Sequence, residues 1–213
     1  MPPSAPRPLK VFVSSVVTGY EPLLKNLYAL LTEQGFEVIQ SCMGTVPVSS
    51  DHQAYEDCLA AIDECDLFLG IIFPKYGSGT TSDEPLNITH REMLKAIAKK
   101  MPRWFMVHEQ VVIATEVLKE FRDPKVKDRF ALMYGHKFEG SKFLDDLRII
   151  DMHNAVLQRD VKPVSKRAGN WVQTFGDEYE AKLFVQAQFR GDRELFDQLR
   201  KQMPPKPEDK KPK

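Results

Sequence analysis

An α/β fold built on a doubly wound parallel sheet is what this sequence predicts, and three observations carry that expectation. Short β-branched and aromatic runs alternate with stretches whose leucines recur at helical spacing, the rhythm of strands joined by crossover helices. The run Leu67 to Phe73 holds no polar side chain and is bounded by Asp63, Glu64 and Asp66 before it and by Pro74 to Gly79 after it, which reads as a strand buried on both faces. The 213 residues, 42% hydrophobic and 28% charged, suit one globular domain of ordinary size with an extension.

Taken in order, residues 1 to 9 are proline-rich and predict an unstructured lead with no signal-peptide core. Lys10 to Val13 predicts a first strand ending at Ser14-Ser15. Leu23, Leu24, Leu27, Leu30 and Leu31 then repeat at helical spacing, and Gly35 closes that helix. Phe36 to Ile39 predicts the second strand and residues 41 to 50 a loop. Ser50 or Asp51 caps a helix whose inner face is Tyr55, Cys58, Leu59 and Ile62. Leu67 to Phe73 is the third strand. A helix from about Ile88 to Lys100 follows, and Trp104 to Val107 makes a fourth strand ending at His108-Glu109. Right-handed crossovers put helices on both faces, with the strands ordered 2-1-3-4.

The remainder is less regular. Ala114, Val117, Leu118 and Phe121 predict a helix broken near Asp123-Pro124, and Phe143 to Leu157 reads as mostly helical. Trp171 to Phe175 fits a short edge strand. Tyr179 to Met203 is amphipathic, with Leu183, Phe184, Ala187, Leu195, Phe196 and Leu199 inward and Gly191 as a break. The expected organisation is a disordered lead (1–9), an α/β domain (10–122), a mostly helical extension packed on it (123–203) and a disordered, lysine-rich tail (204–213).

Thirty basic residues balance thirty acidic ones, so no overall field favours nucleic acid. The longest apolar run is too short to span a bilayer. Cys42, Cys58 and Cys65 are odd in number and lack the spacing of a zinc site or a redox pair. The expectation is a cytoplasmic protein with no membrane or nucleic-acid partner, no metal and no resident cofactor.

Ligands in such sheets sit beyond the carboxyl ends of the strands, at the point where strand order reverses. That rule directs attention to Ser14 and Ser15 after the first strand, to Lys75, Tyr76 and Gly77 after the third, and to Thr89, His90 and Glu92 on the following helix. Ser14 and Ser15 suit phosphate or ribose hydroxyls, and equally an ordinary turn. Glu92 reads either as half of a capping box with Thr89 or as a catalytic carboxylate facing the crevice. Tyr76 is a core aromatic or a stacking surface for a base. Asp66 is a turn residue or a ligand contact. His90 and His108 are structural, or act as acid, base or ribose contact. No G-x-G-x-x-G, Walker A lysine or serine-hydrolase elbow is present.

Several of these segments together resemble a known domain family. They are Lys10-Val-Phe-Val-Ser-Ser-Val-Val, the Cys-Leu-x-x-Ile-Asp-x-Cys-Asp pattern ending at Asp66, Phe73-Pro-Lys-Tyr-Gly-Ser, and Thr89-x-x-Glu92-x-x-x-Ala96. The stretch from Leu144 to Met152, Asn170-Trp171-Val172-Gln173 and Gln188-Phe189 extend the likeness to about residue 190. The family is uncharacterised, is common at the N-termini of STAND NTPases and repeat proteins, including bacterial immune receptors, and is similar to TIR domains and nucleoside 2-deoxyribosyltransferases. The resemblance implies a flavodoxin-like sheet holding a nucleotide-type ligand. It puts Glu92 at the position of a glutamate that attacks or stabilises a ribosyl C1′, with Thr89 at the relatives' threonine and His90 where they carry a second glutamate. It also implies Tyr76 stacking on base or ribose. The implied activity is an N-glycosidase or ribosyltransferase acting on NAD or a nucleotide in bacterial defence or signalling. The alternative is a non-catalytic module that senses a nucleotide, binds a protein partner or self-assembles.

Overall fold

The computed structural model describes residues 7–51, 54–80, 84–161, 163–190 and 193–202. Within them, five strands form one all-parallel sheet: β1 (Lys10–Ser15), β2 (Glu37–Ile39), β3 (Leu67–Ile72), β4 (Arg103–His108) and β5 (Val172–Phe175). Their order is β2-β1-β3-β4-β5. Seven helices flank it: α1 (Glu21–Glu33), α2 (Ala54–Asp63), α3 (Ile88–Ala98), α4 (Glu109–Lys119), α5 (Arg148–Val156), α6 (Glu178–Gln188) and α7 (Glu194–Gln202). This is a flavodoxin-like α/β architecture. The fifth strand comes from beyond residue 122 and pairs with β4 through Phe105↔Val172 to His108↔Phe175.

Every residue of β3 is buried, because a central parallel strand is covered on both faces. Alternation sorts its side chains. Leu67, Leu69 and Ile71 enter the layer under α1, α6 and α7, whereas Phe68 and Ile72 enter the layer under α2 to α5. Each such side chain, fully buried, contributes roughly 1.5–3 kcal/mol. In β1 the same alternation sends Val11 and Val13 one way and Phe12 the other. Ser14, two residues after Phe12, therefore faces α3. The end of α1 confirms its glycine stop: Gly35 sits at φ +88°, while the Phe36 and Gly35 amides donate to the carbonyls of Leu31 (3.2 Å) and Thr32 (3.0 Å).

Two expectations about these elements need correction, and the others stand. Residues 7–9 of the lead are anchored: Leu9 is fully buried, and the Arg7 guanidinium grips Asp66 at 2.8 and 2.9 Å. The helix expected around Ala114 and Leu118 is α4, whose inward residues are Val111, Ala114 and Thr115, while Val117 and, just beyond its end, Phe121 are 58% and 55% exposed. That helix starts directly after β4, and the 3.6-residue period carries Val117 about a third of a turn away from the buried stripe. The C-terminal amphipathic stretch is two helices, α6 and α7, in keeping with the expected break, but its inward face differs from the expected one. Ala181, Val185 and Phe196 are buried, whereas Leu183 and Ala187 face solvent. Phe189 and Phe196 close this layer by edge contacts with Phe36 at 5.7 and 5.2 Å. Phe143 to Leu157, expected to be mostly helical, holds α5 from Arg148 to Val156.

Ser50 and Asp51, the expected caps of α2, are among the described residues and lie before the helix begins at Ala54, whereas Gly191 and the tail from residue 204 lie outside the described residues. No helix among the described residues is long and apolar enough to cross a membrane.

Candidate functional site

From β1 the chain crosses to β2 on one side, while β3 and β4 extend the sheet on the other. The loops leaving β1 and β3 consequently diverge, and a cleft of about 680 Å³ opens there. Ser15 and Thr18 border it from the first loop, Lys75 and Gly77 from the second. Gly77 has φ +84°, and a Cβ at that position would lie 3.0 Å from the Val16 side chain. The turn thus needs glycine to bring its backbone against the cleft. The Lys75 ammonium lies 5.7 Å from the Tyr20 ring centroid and forms no ion pair among the described residues. Asp145 comes from the C-terminal half. Its Oδ1 accepts from the Tyr76 amide at 2.8 Å, and its own amide donates to the Pro74 carbonyl at 3.2 Å, which fixes the loop after β3.

Glu92 lies on the cleft floor, 5% exposed. The helix that carries it is capped by Asn87, whose side chain accepts from the His90 amide at 2.7 Å. The Thr89–Glu92 capping box is therefore not formed, and the carboxylate is free to turn toward β1. There Ser14 donates its hydroxyl to Glu92 Oε2 at 2.6 Å. Burial pushes the Glu92 carboxyl up to about 7, and the hydroxyl of Ser14 and the thiol of Cys58 oppose that rise by stabilising the anion. A carboxyl with this value exchanges a proton at neutral pH, a property common to catalytic acids and bases.

The helical period decides which neighbours share the cleft. Thr89, three residues before Glu92, lies on the same face and borders the cleft, whereas His90, two residues before it, points about 200° away. His90 is buried against Tyr76, and burial together with Arg148 lowers its imidazole to about 4. It is thus neutral near pH 7. Tyr76 Oη accepts from the Asn87 amide at 3.3 Å, which leaves the phenol hydrogen for His90 Nδ1 at 3.1 Å. Tyr76 is 2% exposed and the Arg148 guanidinium sits 4.3 Å from its ring centroid. The stacking role expected of Tyr76 finds no open ring face, because Gly77 reverses the chain and the ring is tucked beneath α3 and Arg148.

Ser14 and Ser15 divide the roles expected of them. Ser14 is buried and holds Glu92, while Ser15 lies at the cleft wall with its hydroxyl donating to the Val16 carbonyl at 2.8 Å. Asp66 is at the amino end of β3, the opposite end of the sheet, where it accepts from the Lys10 amide at 2.8 Å and pairs with Arg7. It has no part in the cleft. His108 caps α4 through Nδ1, accepting from the Gln110 amide at 3.3 Å. Sequence reasoning missed Cys58 and Tyr55 as cleft residues, having read them only as the packing face of α2, and it missed Asp145. The one available signal for Asp145 was its place in the Leu144-Asp145-Asp146 segment.

No curated protein and no solved structure gives a significant match to this chain. The model of the family described as a domain of unknown function, DUF4062, matches residues 10–204. Because that match takes in all five strands and every loop and helix that borders the cleft, the chain belongs to the DUF4062 family.

Proposed function

We propose that the cleft binds a nucleotide-like small molecule and that Glu92 acts at its N-glycosidic carbon, releasing or transferring the base of NAD, a nucleotide or a nucleoside. The observation that carries this reading is a buried carboxyl, held by a 2.6 Å hydrogen bond from Ser14, on the floor of a cleft at the strand-reversal point. The volume of about 680 Å³ is that of a small-molecule site. When the C1′–N bond breaks, its electron pair leaves with the base and positive charge builds at C1′. An anion beside that carbon stabilises the charge or forms an ester that water or a second acceptor then opens. Ser14 keeps the ionised oxygen aimed, and Thr18, Lys75 and the Gly77 backbone offer polar contacts to sugar and phosphate at the mouth. The resemblance to TIR domains and nucleoside 2-deoxyribosyltransferases supports the same chemistry, in a signalling or defence setting.

With His90 standing where the relatives carry a second glutamate and turned away from Glu92, the cleft also suits a reading in which the ligand is sensed and left intact. A thermal-shift screen over NAD, nucleotides and nucleosides tests binding, since a ligand raises the melting temperature by mass action. Chromatography of the same mixtures tests chemistry. Stabilisation together with free base supports the enzyme, and stabilisation without free base supports the sensor. A flat screen refutes both.

A further inference from the structure

At the opposite end of the sheet from the Glu92 cleft lies a second cavity, of about 660 Å³, between the end of α3, the start of β4 and residues 158–169. Its floor is apolar, made by Ile97, Met101, Pro102, Trp104 and Leu195. Its rim carries Lys100, Arg103 and Lys166, and no carboxylate lines it. Among the described residues none of these three cations forms an ion pair, although Lys99 next door is paired with Asp63 at 2.7 Å.

Arg103 is the informative member. Its Nη1 donates to the Met101 carbonyl at 3.2 Å and its Nη2 to the Ala168 carbonyl at 2.8 Å, which fixes the guanidinium plane. Its Nε is buried with no acceptor. This half-buried guanidinium bonds only to neutral carbonyls, so its Nε is short of an acceptor and the group has no counter-charge among the described residues. The backbone at the rim is unusual as well. Lys100 and Gln158 have φ +53° and +51°, the left-handed region, where helix ends ordinarily place glycine. Two of the three non-glycine residues with positive φ among the described residues therefore border this one cavity, and such strain collects at ligand sites.

We propose that this cavity is a binding site for a small anion with an apolar body, an aryl or acyl phosphate or carboxylate, whose head is held by Lys100, Arg103 and Lys166 and whose body lies on Trp104 and Met101. The charge arrangement excludes cations, and the apolar floor favours an organic anion over a bare inorganic one.

Trp104 reports on the site directly. The chain has two tryptophans, and Trp171 is 73% exposed, so Trp171→Phe leaves Trp104 as the emitter. Titrating that full-length variant with phenyl phosphate should give a saturable change in emission at millimolar concentration or below. Phenol and inorganic phosphate should each bind at least about tenfold more weakly, since each lacks half of the recognition. Lys166→Ala and Lys100→Gly should weaken phenyl phosphate binding several-fold. The first residue is exposed and the second change relieves a left-handed backbone, so both variants fold. Glu92→Gln should leave this binding unaltered, which separates the outcome from that of the cleft. No saturable change, equal affinity for phenol or for inorganic phosphate, or unaltered affinity in both lysine variants would overturn the proposal.

Discussion

Replacing Glu92 with glutamine keeps the shape of the side chain and removes its ability to ionise, and the consequence for stability depends on pH. Burial raises the folded-state value from an ordinary 4.5 to about 7. A raised carboxyl favours the protonated form in the folded state. Its contribution to stability is thus fully present below about pH 4.5 and is lost as pH rises through about 7. At about 1.4 kcal/mol per pH unit, the wild type forfeits roughly 3 kcal/mol by pH 8. Glutamine forfeits none of this, but its amide replaces the acceptor used by the Cys58 thiol, a loss of roughly 1 kcal/mol. The expected net gain for Glu92→Gln is then about 2 kcal/mol at pH 8. For a domain of this size that raises the melting temperature by about 4–8 °C. Scanning calorimetry at pH 8 and pH 5 reads the difference, with the gain nearly absent at the lower pH. An equal shift at both pH values, or a lower melting temperature for the variant at pH 8, would show that the carboxyl is not held in the desolvated position described above.

Other perturbations bear on the same arrangement. Ser14→Ala removes the 2.6 Å donor to Glu92 Oε2, so the carboxyl should ionise at higher pH, and the rising limb of base release against pH should move in the alkaline direction. Asn87→Ala deletes the cap of α3 and should lower stability by about 1 kcal/mol, read from denaturant melts. Gly70→Ala would put a Cβ 2.7 Å from Phe105 Cδ1 and 3.0 Å from Phe68 Cε1. The resulting overpacking should cost about 1–3 kcal/mol in the same assay.

The sheet was legible because its signals are local. Seven residues without a polar side chain at Leu67 to Phe73 leave little choice but a doubly covered strand, and the leucines of α1 with Gly35 state a helix and its end. Which face of a helix turns inward is a tertiary matter. Leu183 and Ala187 on α6 read as inward, yet Ala181 and Val185 take the buried face and leave them in solvent. The carboxylate of Glu92 shows the same division. The sequence named the residue and two competing roles, a capping box and an open cleft, and the outcome turned on Asn87 taking the cap two positions before Thr89. The period of a helix would have separated His90 from Glu92 in advance, since residues two apart cannot face one cleft. Tyr76 could not be settled locally, because Arg148, far away in the chain, covers its ring. Asp145 was hidden for the same reason, as its contact to the Tyr76 amide spans the two halves of the sequence.

Whether Glu92 acts on a glycosidic carbon is tested most directly by measuring free base released from the ligand that stabilises the protein most, with wild type and Glu92→Gln side by side at matched saturation. Base accumulating with the wild type, and none above the uncatalysed rate with the variant although the variant still binds, is the expected result. Equal release by both proteins, or release by neither, would contradict the assignment of this carboxylate as the reacting group.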